Sequence, residues 1–295
     1  MFNVLSLFDG ISGTQLALKR ANINIDNYYA SEIDEHAISI TMKNFPNTIQ
    51  LGDVTKIKGS KLPKIDLIVA GSPCQGFSFA GRRKGMVTTE NIEITSIKQY
   101  LQLKKEGFQF DGQSYLFWEV IRLIKEIKPK YFLIENVKMN KKWMYIISKE
   151  LGVLPILINS SCVSIQNRER NYWTNIPNVS HPIIKNIVLS NVIPNAVGGY
   201  GIRGRKNKIT GKYDQMGTIR KDNKVNCITT SKGNTSMISL IDGSIRKLTI
   251  EEAEIAQTLP LNYTKVKHLS ETNRWHGIGN GFTIDVVSHI LKNIK

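Results

Sequence analysis

A cysteine and a carboxylate each follow an apolar run that has the character of a buried strand. Cys74 stands in the loop SPCQGFS, directly after Ile65–Ala70, and Glu135 follows Tyr131–Ile134. A thiolate in such a loop is a nucleophile when nearby cations or backbone donors lower its pKa. A buried carboxyl at the same sheet edge has a raised pKa and can donate a proton. The pair predicts covalent catalysis, although a lone cysteine is more often a buried apolar residue and a lone carboxylate an ion-pair partner or a helix cap.

Two arginines follow further along the chain, in the segment QNRER. Arg168 and Arg170 alternate, so on an extended backbone their side chains face the same side. Two guanidinium groups aimed one way suit carboxylates, phosphates or base edges, and a solvated basic strand is the alternative. Cys162 and Cys227 lack a loop setting like that of Cys74, and we interpret both as structural.

A glycine-rich turn and two acids indicate a nucleoside-bearing cofactor. Gly10 and Gly13 follow the first apolar run, where a doubly wound sheet usually binds its nucleotide. Glu32 ends the second run and can accept hydrogen bonds from ribose hydroxyls, and Asp53 can accept one from an exocyclic amine. The turn lacks the GxxxxGK[ST] pattern of a phosphate loop, so ATP is not expected. Taken singly, each is equally a structural turn, a solvated acid or a turn aspartate.

These residues need a parallel sheet to bring them to one edge. Short apolar runs typical of strands buried on both faces alternate with amphipathic stretches typical of helices. The pattern predicts an α/β fold with a doubly wound, mostly parallel sheet. The predicted strands are Asn3–Leu7, Tyr28–Ser31, Ile65–Ala70 and Tyr131–Ile134, and the predicted helices are Gly13–Ala21, Glu35–Asn44 and Ser114–Ile127. Thr88–Asp111, with a short helix over Ile97–Glu106, is interpreted as a mobile excursion over the sheet edge.

Composition narrows the class of protein. The chain has 295 residues with 40 Lys+Arg against 24 Asp+Glu, a formal charge of +16, and a hydrophobic fraction of 41%. This composition excludes disorder, and no run reaches the roughly 18 apolar residues of a membrane helix. The N-terminus does not have the pattern of a signal peptide, and three scattered cysteines predict neither disulfides nor a zinc site. We expect a reduced, cytoplasmic protein with a polyanionic partner such as nucleic acid, and no metal.

The positive charge is concentrated in one region. Asn178–Lys247 holds 12 Lys+Arg and 3 Asp, a net charge of +9. Eight glycines and short β-like runs (Val225–Thr230, Met237–Ile241) lie in it, and helical periodicity returns in Thr249–Thr258 and Thr283–Ile294. We predict a catalytic and cofactor-binding domain over 1–177, a small basic domain over 178–247, and a segment over 248–295 whose last helix, about 280–294, returns to the first domain.

In their order and spacing these blocks resemble the cytosine-5 DNA methyltransferase family. The matching blocks are LSLFDGISG, SEID, GDV, GSPCQGFS, SYLFWEVIRLI, ENV, QNRER, RKLTIEEAEIAQTLP and GIGNGF, and they span nearly the whole chain. The chain length is similar to that of bacterial or phage members, and SLFDGI resembles the animal de novo enzymes. The resemblance implies an S-adenosylmethionine-dependent methyltransferase fold that methylates a flipped cytosine in double-stranded DNA. It also implies a monomer, with a cognate restriction endonuclease as a candidate partner.

The resemblance assigns roles residue by residue. Cys74 matches the nucleophile, Glu135 the acid, and Arg168 and Arg170 the basic pair at the target base. The positions that match S-adenosylmethionine contacts are Phe8, Gly10, Ser12, Gly13, Glu32, Ile33, Asp53, Val54, Pro73, Ser114, Leu116 and Asn280. Candidate DNA contacts are Gln75, Ser78, Arg203, Arg205 and Lys206, the last three in the basic region that corresponds to the family's target-recognition domain.

Three departures from the family pattern, and three alternative functions, accompany this assignment. Ser12 replaces a usual glycine, the acidic cluster Glu251, Glu252 and Glu254 replaces a usual arginine with Arg246 upstream, and GIGNGF replaces LGNSV.

A tRNA methyltransferase of the family's animal branch is one alternative, but its Cys-Phe-Thr signature is missing. An inactive nucleic-acid-binding protein of the same fold is another, although all catalytic positions are filled. Amino-group methyltransferases typically carry a Pro-Pro-aromatic motif where this chain has Pro73-Cys74, and are rejected.

Overall fold

The computed structural model describes residues 1–74, 76–77, 85–206, 213–230, 233 and 236–295, with only the backbone described for 202–206 and 213–216. The predicted DNA contacts Gln75 and Ser78 lie outside the described residues. The side chains of Arg203, Arg205 and Lys206 lie outside them too.

A seven-stranded sheet forms the centre of the molecule. Its strand order is β3-β2-β1-β4-β5-β7-β6, and β7 is the antiparallel strand between β5 and β6 in an otherwise parallel sheet. The predicted doubly wound, mostly parallel fold is confirmed. The strands are β1 Asn3–Leu7, β2 Asn27–Ser31, β3 Ile49–Gln50, β4 Leu67–Gly71, β5 Tyr131–Val137, β6 Ile156–Asn159 and β7 Glu169–Thr174.

Both faces of this sheet are buried because its central strands are mostly apolar along their length. In β1, Val4 belongs to one hydrophobic cluster, whereas Leu5 and Leu7 belong to the cluster on the opposite face. Side chains alternate along a strand, so a continuous apolar run requires cover on both sides. The covering helices are α1 Gly13–Arg20, α2 Glu35–Asn44, α3 Ile97–Lys105, α4 Phe117–Ile127, α5 Lys141–Leu151, α6 Ile250–Ala256, α7 Glu271–Asn280 and α8 Ile284–Leu291.

The segment Thr88–Asp111 is anchored to the core, in contrast to its interpretation as a mobile excursion. Its helix α3 lies close to the predicted bounds and buries Tyr100, whose hydroxyl donates to Glu119 Oε1 at 2.5 Å. Glu119 is fully buried and also pairs with Lys104 and Arg122, each at 2.6 Å. A buried carboxylate needs this degree of pairing to offset its desolvation.

A second sheet is antiparallel and has the strand order β11-β10-β8-β9. Its strands are β8 Ala196–Lys206, β9 Tyr213–Ile219, β10 Met237–Leu240 and β11 Ile245–Lys247. The run Val225–Thr230, predicted as β-like, forms no strand in the described part of the chain; Val225 makes a single bridge to Gln166.

The C-terminal segment packs back onto the N-terminal turn. α8 lies against α1, and Gly277 of α7 touches Ile11 so closely that an added Cβ would lie 2.7 Å from Ile11 Cγ2. The acidic cluster that departs from the family pattern has partners: Arg246 forms two hydrogen bonds with Glu252, which also completes the capping box of α6. Within the described ranges, no helix has the length and apolar character needed to cross a membrane.

Candidate active site

Strand pairing brings the predicted nucleophile and acid to one edge. In the β4–β5 register Gly71 pairs with Glu135, and Cys74 follows Gly71 by three residues. The structure corrects one detail, because Glu135 lies inside β5 and not after its end. Gly71 has no side chain to cover the carboxylate, and a Cβ there would lie 3.7 Å from Glu135 Oε2.

Hydrogen bonds from three directions anchor the cysteine loop. Gly76 N donates to Ser114 Oγ at 2.8 Å, and Phe77 N donates to Cys74 O at 2.9 Å. Asn136 Nδ2 donates to Ser72 O and Oγ at 3.2 and 3.1 Å. Ser114 is buried just before α4, so its hydroxyl holds the loop against the start of that helix. These contacts join the described residues of the cysteine loop to β5 and to the start of α4.

Burial raises the pKa of the Cys74 thiol above its ordinary value, and the charge of Glu135 raises it further. Arg170 and Arg168 act in the opposite direction without reversing the shift. The thiol form of Cys74 is therefore favoured in the free protein. A nucleophilic role for this sulfur would require transfer of the thiol proton to a base.

Arg170 and Glu135 form an ion pair across β5 and β7. Arg170 Nε lies 3.0 Å from Glu135 Oε1, and the two side chains are 14% and 15% exposed. Arg170 Nη1 also donates to the carbonyl oxygen of Glu169 at 2.8 Å. The predicted catalytic residues Cys74, Glu135 and Arg170 are thus brought together.

Arg168 has different hydrogen-bond acceptors from Arg170, although both guanidinium groups approach the same sulfur atom, that of Cys227. The Arg168 guanidinium is buried and donates to the carbonyl oxygens of Ile228 at 2.8 Å, Gly281 at 2.7 Å and Gly279 at 3.3 Å. These carbonyls belong to the basic region and the C-terminal segment. Arg168 therefore ties both to the strand that carries Arg170.

Cys227 lies against this arginine pair, and the prediction that it is only structural overlooked the contact. Its sulfur is 3.4 Å from Arg168 Nη1 and 3.7 Å from Arg170 Nη2. The sequence signal was weak, since Cys227 stands 57 residues after Arg170 in a run without loop character. Cys162, in contrast, donates to the carbonyl oxygen of Asn159 away from the arginines.

The turn after β1 places three alternate residues in the left-handed conformation. Phe8, Gly10 and Ser12 have φ values of 56°, 58° and 58°. Ser12 therefore adopts the conformation that favours glycine, and the turn forms despite this departure from the family pattern. Its hydroxyl accepts a hydrogen bond from Gln15 Nε2 at 2.8 Å in a fully buried setting. This contact holds the turn before Gly13, where α1 begins.

The two acids predicted to bind a nucleoside follow the ends of β2 and β3. Glu32 Oε2 accepts from Gly10 N at 2.8 Å, so this carboxylate fixes the turn. Asp53 accepts from Thr55 N at 2.9 Å; burial alone would raise its pKa, but the hydrogen bonds from Thr55 and nearby Lys56 hold it below the ordinary value. Ile33 is 70% exposed between them in sequence, whereas Val54 is buried.

The remaining predicted donor contacts have mixed environments. Pro73 is half-buried beside Cys74, Leu116 packs against the hydrophobic cluster that contains Leu5 and Leu7, and Asn280 is exposed at the end of α7. Tyr263 donates its hydroxyl to Ile11 O at 2.7 Å and so joins the C-terminal segment to the turn.

Asp9 is a residue that the sequence analysis missed. Burial raises its pKa to about 6, while hydrogen bonds including that from the Tyr28 hydroxyl, at 2.5 Å from Oδ1, act against the shift. No group of three or more His, Cys, Asp or Glu side chains among the described residues could hold a metal ion.

Solved structures share this fold over nearly the full chain. A DNMT2 mutant of Spodoptera frugiperda superposes with a TM-score of 0.68 at 18% identity, covering 99% of both chains. A putative DNA modification methyltransferase encoded in an E. coli prophage superposes with a TM-score of 0.62 at 19% identity over 99% of this chain and 98% of its own. The protein therefore has the same fold as these two methyltransferases.

The chain belongs to the C-5 cytosine-specific DNA methylase family, whose model matches residues 2–144 and 155–295. The family assignment made from the sequence blocks is confirmed. The type II methyltransferase M1.ScrFI of Lactococcus lactis subsp. cremoris is 27% identical over 99% of this chain and 78% of its own length. The orphan methyltransferase M.SPBetaI of Bacillus phage SPbeta is 33% identical over 57% of this chain, and the match spans 43% of that enzyme.

Proposed function

We propose that this protein transfers a methyl group from S-adenosylmethionine to C5 of a cytosine in double-stranded DNA, with Cys74 as covalent nucleophile. The observation that carries the proposal is the joint placement of Cys74, in the loop after β4, with Glu135 on β5 and Arg170 on β7. Family membership supports the same reaction.

The residue types match what this reaction needs. Cytosine C5 is a weak nucleophile, and addition of Cys74 Sγ to C6 moves the ring's electron pair towards C5. Glu135, protonated or sharing a proton with N3, stabilises the negative charge that develops on the ring. S-adenosylmethionine, when bound, would supply a sulfonium methyl group to C5 and would leave as the thioether S-adenosylhomocysteine. Transfer of the C5 proton to a solvent base and cleavage of the Sγ–C6 bond would then release 5-methylcytosine and the Cys74 thiolate.

The side chains that follow β2 and β3 suit the proposed donor. Ile33 is an exposed apolar side chain that offers a face to a purine ring, and Asp53 stays ionised and able to accept from its amine. Glu32 uses some of its carboxylate lone pairs on backbone N–H groups of Gly10 and Ile33, which leaves others for ribose hydroxyls.

Replacing Glu32 with glutamine should weaken binding of S-adenosylmethionine by roughly 10- to 100-fold, the usual loss for a charge-assisted hydrogen bond. The amide has the same shape but lacks the charge and presents an NH₂ group towards hydroxyl or N–H donors. Isothermal titration would measure the affinity, with the exposed Glu35→Gln as matched control, expected to stay within about twofold of wild type. Equal affinities of Glu32→Gln and wild type would remove Glu32 from the donor site.

In this proposal the basic region binds the DNA. Asn178–Lys247 has a net charge of +9, which suits a phosphate backbone and makes binding weaken steeply with salt. A cavity of about 390 Å³ on this region is lined by Gly201, Thr218, Arg220, Lys221, Asp222 and Asn226. The reacting atoms of a cytosine are inaccessible inside a duplex, so the base must be flipped into the site.

Bisulfite sequencing of random duplex DNA after incubation with protein and S-adenosylmethionine tests the proposed reaction. We expect protected cytosines in one recurring sequence context, because C5 methylation blocks bisulfite deamination. Unprotected DNA under conditions where the donor binds would contradict the proposal. A covalent adduct with DNA containing 5-fluorocytosine, whose fluorine blocks elimination, distinguishes an enzyme from an inactive binding protein of this fold.

Methylation of RNA is the second outcome to measure, with tRNA and duplex DNA assayed side by side. The chain has Cys227-Ile228-Thr229 beside the arginine pair, which differs from the Cys-Phe-Thr signature in its middle residue. A large, strongly basic recognition region favours DNA. Faster methylation of tRNA would overturn the DNA assignment and leave the chemistry at Cys74 intact.

A further inference from the structure

The arginine pair has an unusual neighbour in Cys227. Its sulfur lies 3.4 Å from Arg168 Nη1 and 3.7 Å from Arg170 Nη2, so one atom faces two guanidinium groups. As a thiol, Cys227 would have the carbonyl oxygen of Ile228 as a distant acceptor at 3.7 Å. Cys162, by comparison, donates to a carbonyl oxygen at 2.9 Å. The geometry suits a sulfur that accepts hydrogen bonds better than one that donates.

The backbone around Cys227 holds this sulfur in place. Ile228 N donates to Gln166 Oε1 at 2.8 Å, and the Trp275 indole donates to Thr229 O at 3.0 Å. Gly279 lies against the backbone of Thr229 so closely that a Cβ would meet its carbonyl carbon at 2.4 Å. Contacts from the segment before β7 and from α7 therefore fix the backbone that follows Cys227.

A negative charge on the Cys227 sulfur, together with the single carboxylate of Glu135, would balance the positive charges of the two arginines. Arg168 is 4% exposed and its other contacts are to neutral carbonyl groups. Arg170 pairs with Glu135, and that carboxylate must take up or share a proton during the proposed reaction. One buried and one largely buried guanidinium group beside one carboxylate leave one positive charge unbalanced, at a large desolvation cost.

We propose that Cys227 is a positioning residue, a thiolate that pairs with Arg168 and Arg170 and holds Arg170 against Glu135 at the target-base site. This role rests on the proposed function only for its effect on turnover; the ionisation of Cys227 stands independently. The sulfur neutralises the second guanidinium and remains in place when Glu135 is protonated. Arg170 then keeps its orientation through the catalytic cycle.

Charges in the surroundings agree with this ionisation. Burial would raise the pKa of Cys227, but Arg168 and Arg170 outweigh it and lower the pKa below the ordinary value. The pKa of Cys74 is shifted the other way. Lys224, also close in sequence, directs its ammonium group to the carbonyl oxygens of Ser161 and Ser164, away from this sulfur. The same two arginines therefore favour the thiolate at Cys227 over the one at Cys74.

Alkylation of the full-length wild-type protein with iodoacetamide across pH, followed by peptide mass spectrometry, tests the ionisation directly. All three cysteines are half-buried, so Cys162 is an internal control for access, and the pH midpoint of labelling reports each thiolate. We expect the midpoint of Cys227 to lie below those of Cys162 and Cys74. A Cys227 midpoint equal to or above that of Cys162 would overturn the proposal even if the protein methylates DNA as proposed.

Kinetics of three substitutions test the positioning role. Cys227→Ala removes the anion and should lower kcat by roughly 10- to 100-fold, the loss expected for a charge-assisted contact. Cys227→Asp restores a negative group of similar size and should recover most of that loss, whereas the neutral Cys227→Ser should not. Equal activity of the Ala, Ser and Asp variants would show that the charge has no role. If Ala unfolds the protein, the Asp-to-Ser comparison and the wild-type labelling still decide.

Discussion

Replacement of Cys74 by serine should reduce methyl transfer by roughly 1,000-fold or more, while donor and DNA affinity stay close to wild type. Serine keeps the shape of the side chain, but its hydroxyl is far less acidic than a thiol and cannot supply the anion that adds to C6. The loop itself should survive, because its hydrogen bonds run through Gly76, Phe77 and Asn136 and do not use the sulfur. Transfer of labelled methyl groups to duplex DNA measures the rate, and titrations of donor and DNA measure binding.

Cys162→Ser is the matched control for this experiment. Cys162 is also half-buried, but its sulfur contacts the carbonyl oxygen of Asn159, a bond that a serine hydroxyl can replace. We expect this variant to keep wild-type turnover and to form the adduct with 5-fluorocytosine DNA, whereas Cys74→Ser forms none. Substantial turnover by Cys74→Ser would contradict the nucleophile assignment.

The sequence predicts much of the sheet because its strands follow a simple rule. A strand buried on both faces must be apolar along most of its length, and β1 therefore appears at Asn3–Leu7 in both prediction and structure. α2 at Glu35–Asn44 is equally well marked, with Asp34 as its cap. The helix α5, Lys141–Leu151, was not predicted. Several lysines lie in this segment, and its apolar residues occupy only part of the helical repeat.

The end of β5 illustrates a limit of reading strands from apolar runs. Tyr131–Ile134 marks the buried part, but the strand continues through Glu135 to Val137 because β7 supplies ladder partners on its other side. The hydropathy of these residues does not indicate that they pair with β7. The same reasoning explains the segment around α3, whose polar residues concealed Tyr100 and the buried Glu119 to which it bonds.

The sequence predicted the site residues that belong to recognisable motifs. It did not predict contacts between residues that are distant in sequence and come together only in the folded chain. Cys74 and Glu135 belong to neighbouring strands and the loops that follow them, so topology alone brings them together. Arg168 and Arg170 share a motif, yet one binds carbonyl groups of distant segments and the other binds Glu135. Cys227 contacts both arginines although it is almost 60 residues away from them in sequence. A local sequence pattern cannot predict such a contact.

Glu135→Gln should lower kcat by roughly 100- to 10,000-fold, the range for loss of a general acid, yet make Cys74 easier to ionise. The two effects have opposite sign because Glu135 acts on both partners. Its negative charge raises the pKa of the Cys74 thiol, so removing that charge lowers this pKa and moves the labelling midpoint of Cys74 to lower pH. The glutamine cannot donate a proton to N3, however, so the easier thiolate does not restore turnover.

Glu169→Gln provides the comparison for this variant. Glu169 is 41% exposed, pairs with Lys138, and lies between the two arginines in sequence without facing Glu135. We expect it to leave both kcat and the labelling midpoint of Cys74 near wild type, whereas Glu135→Gln shifts both. A Glu135→Gln enzyme with normal kcat would remove Glu135 from proton transfer. Slow turnover with an unchanged Cys74 midpoint would mean that the carboxylate acts on the base alone and exerts no field on the nucleophile.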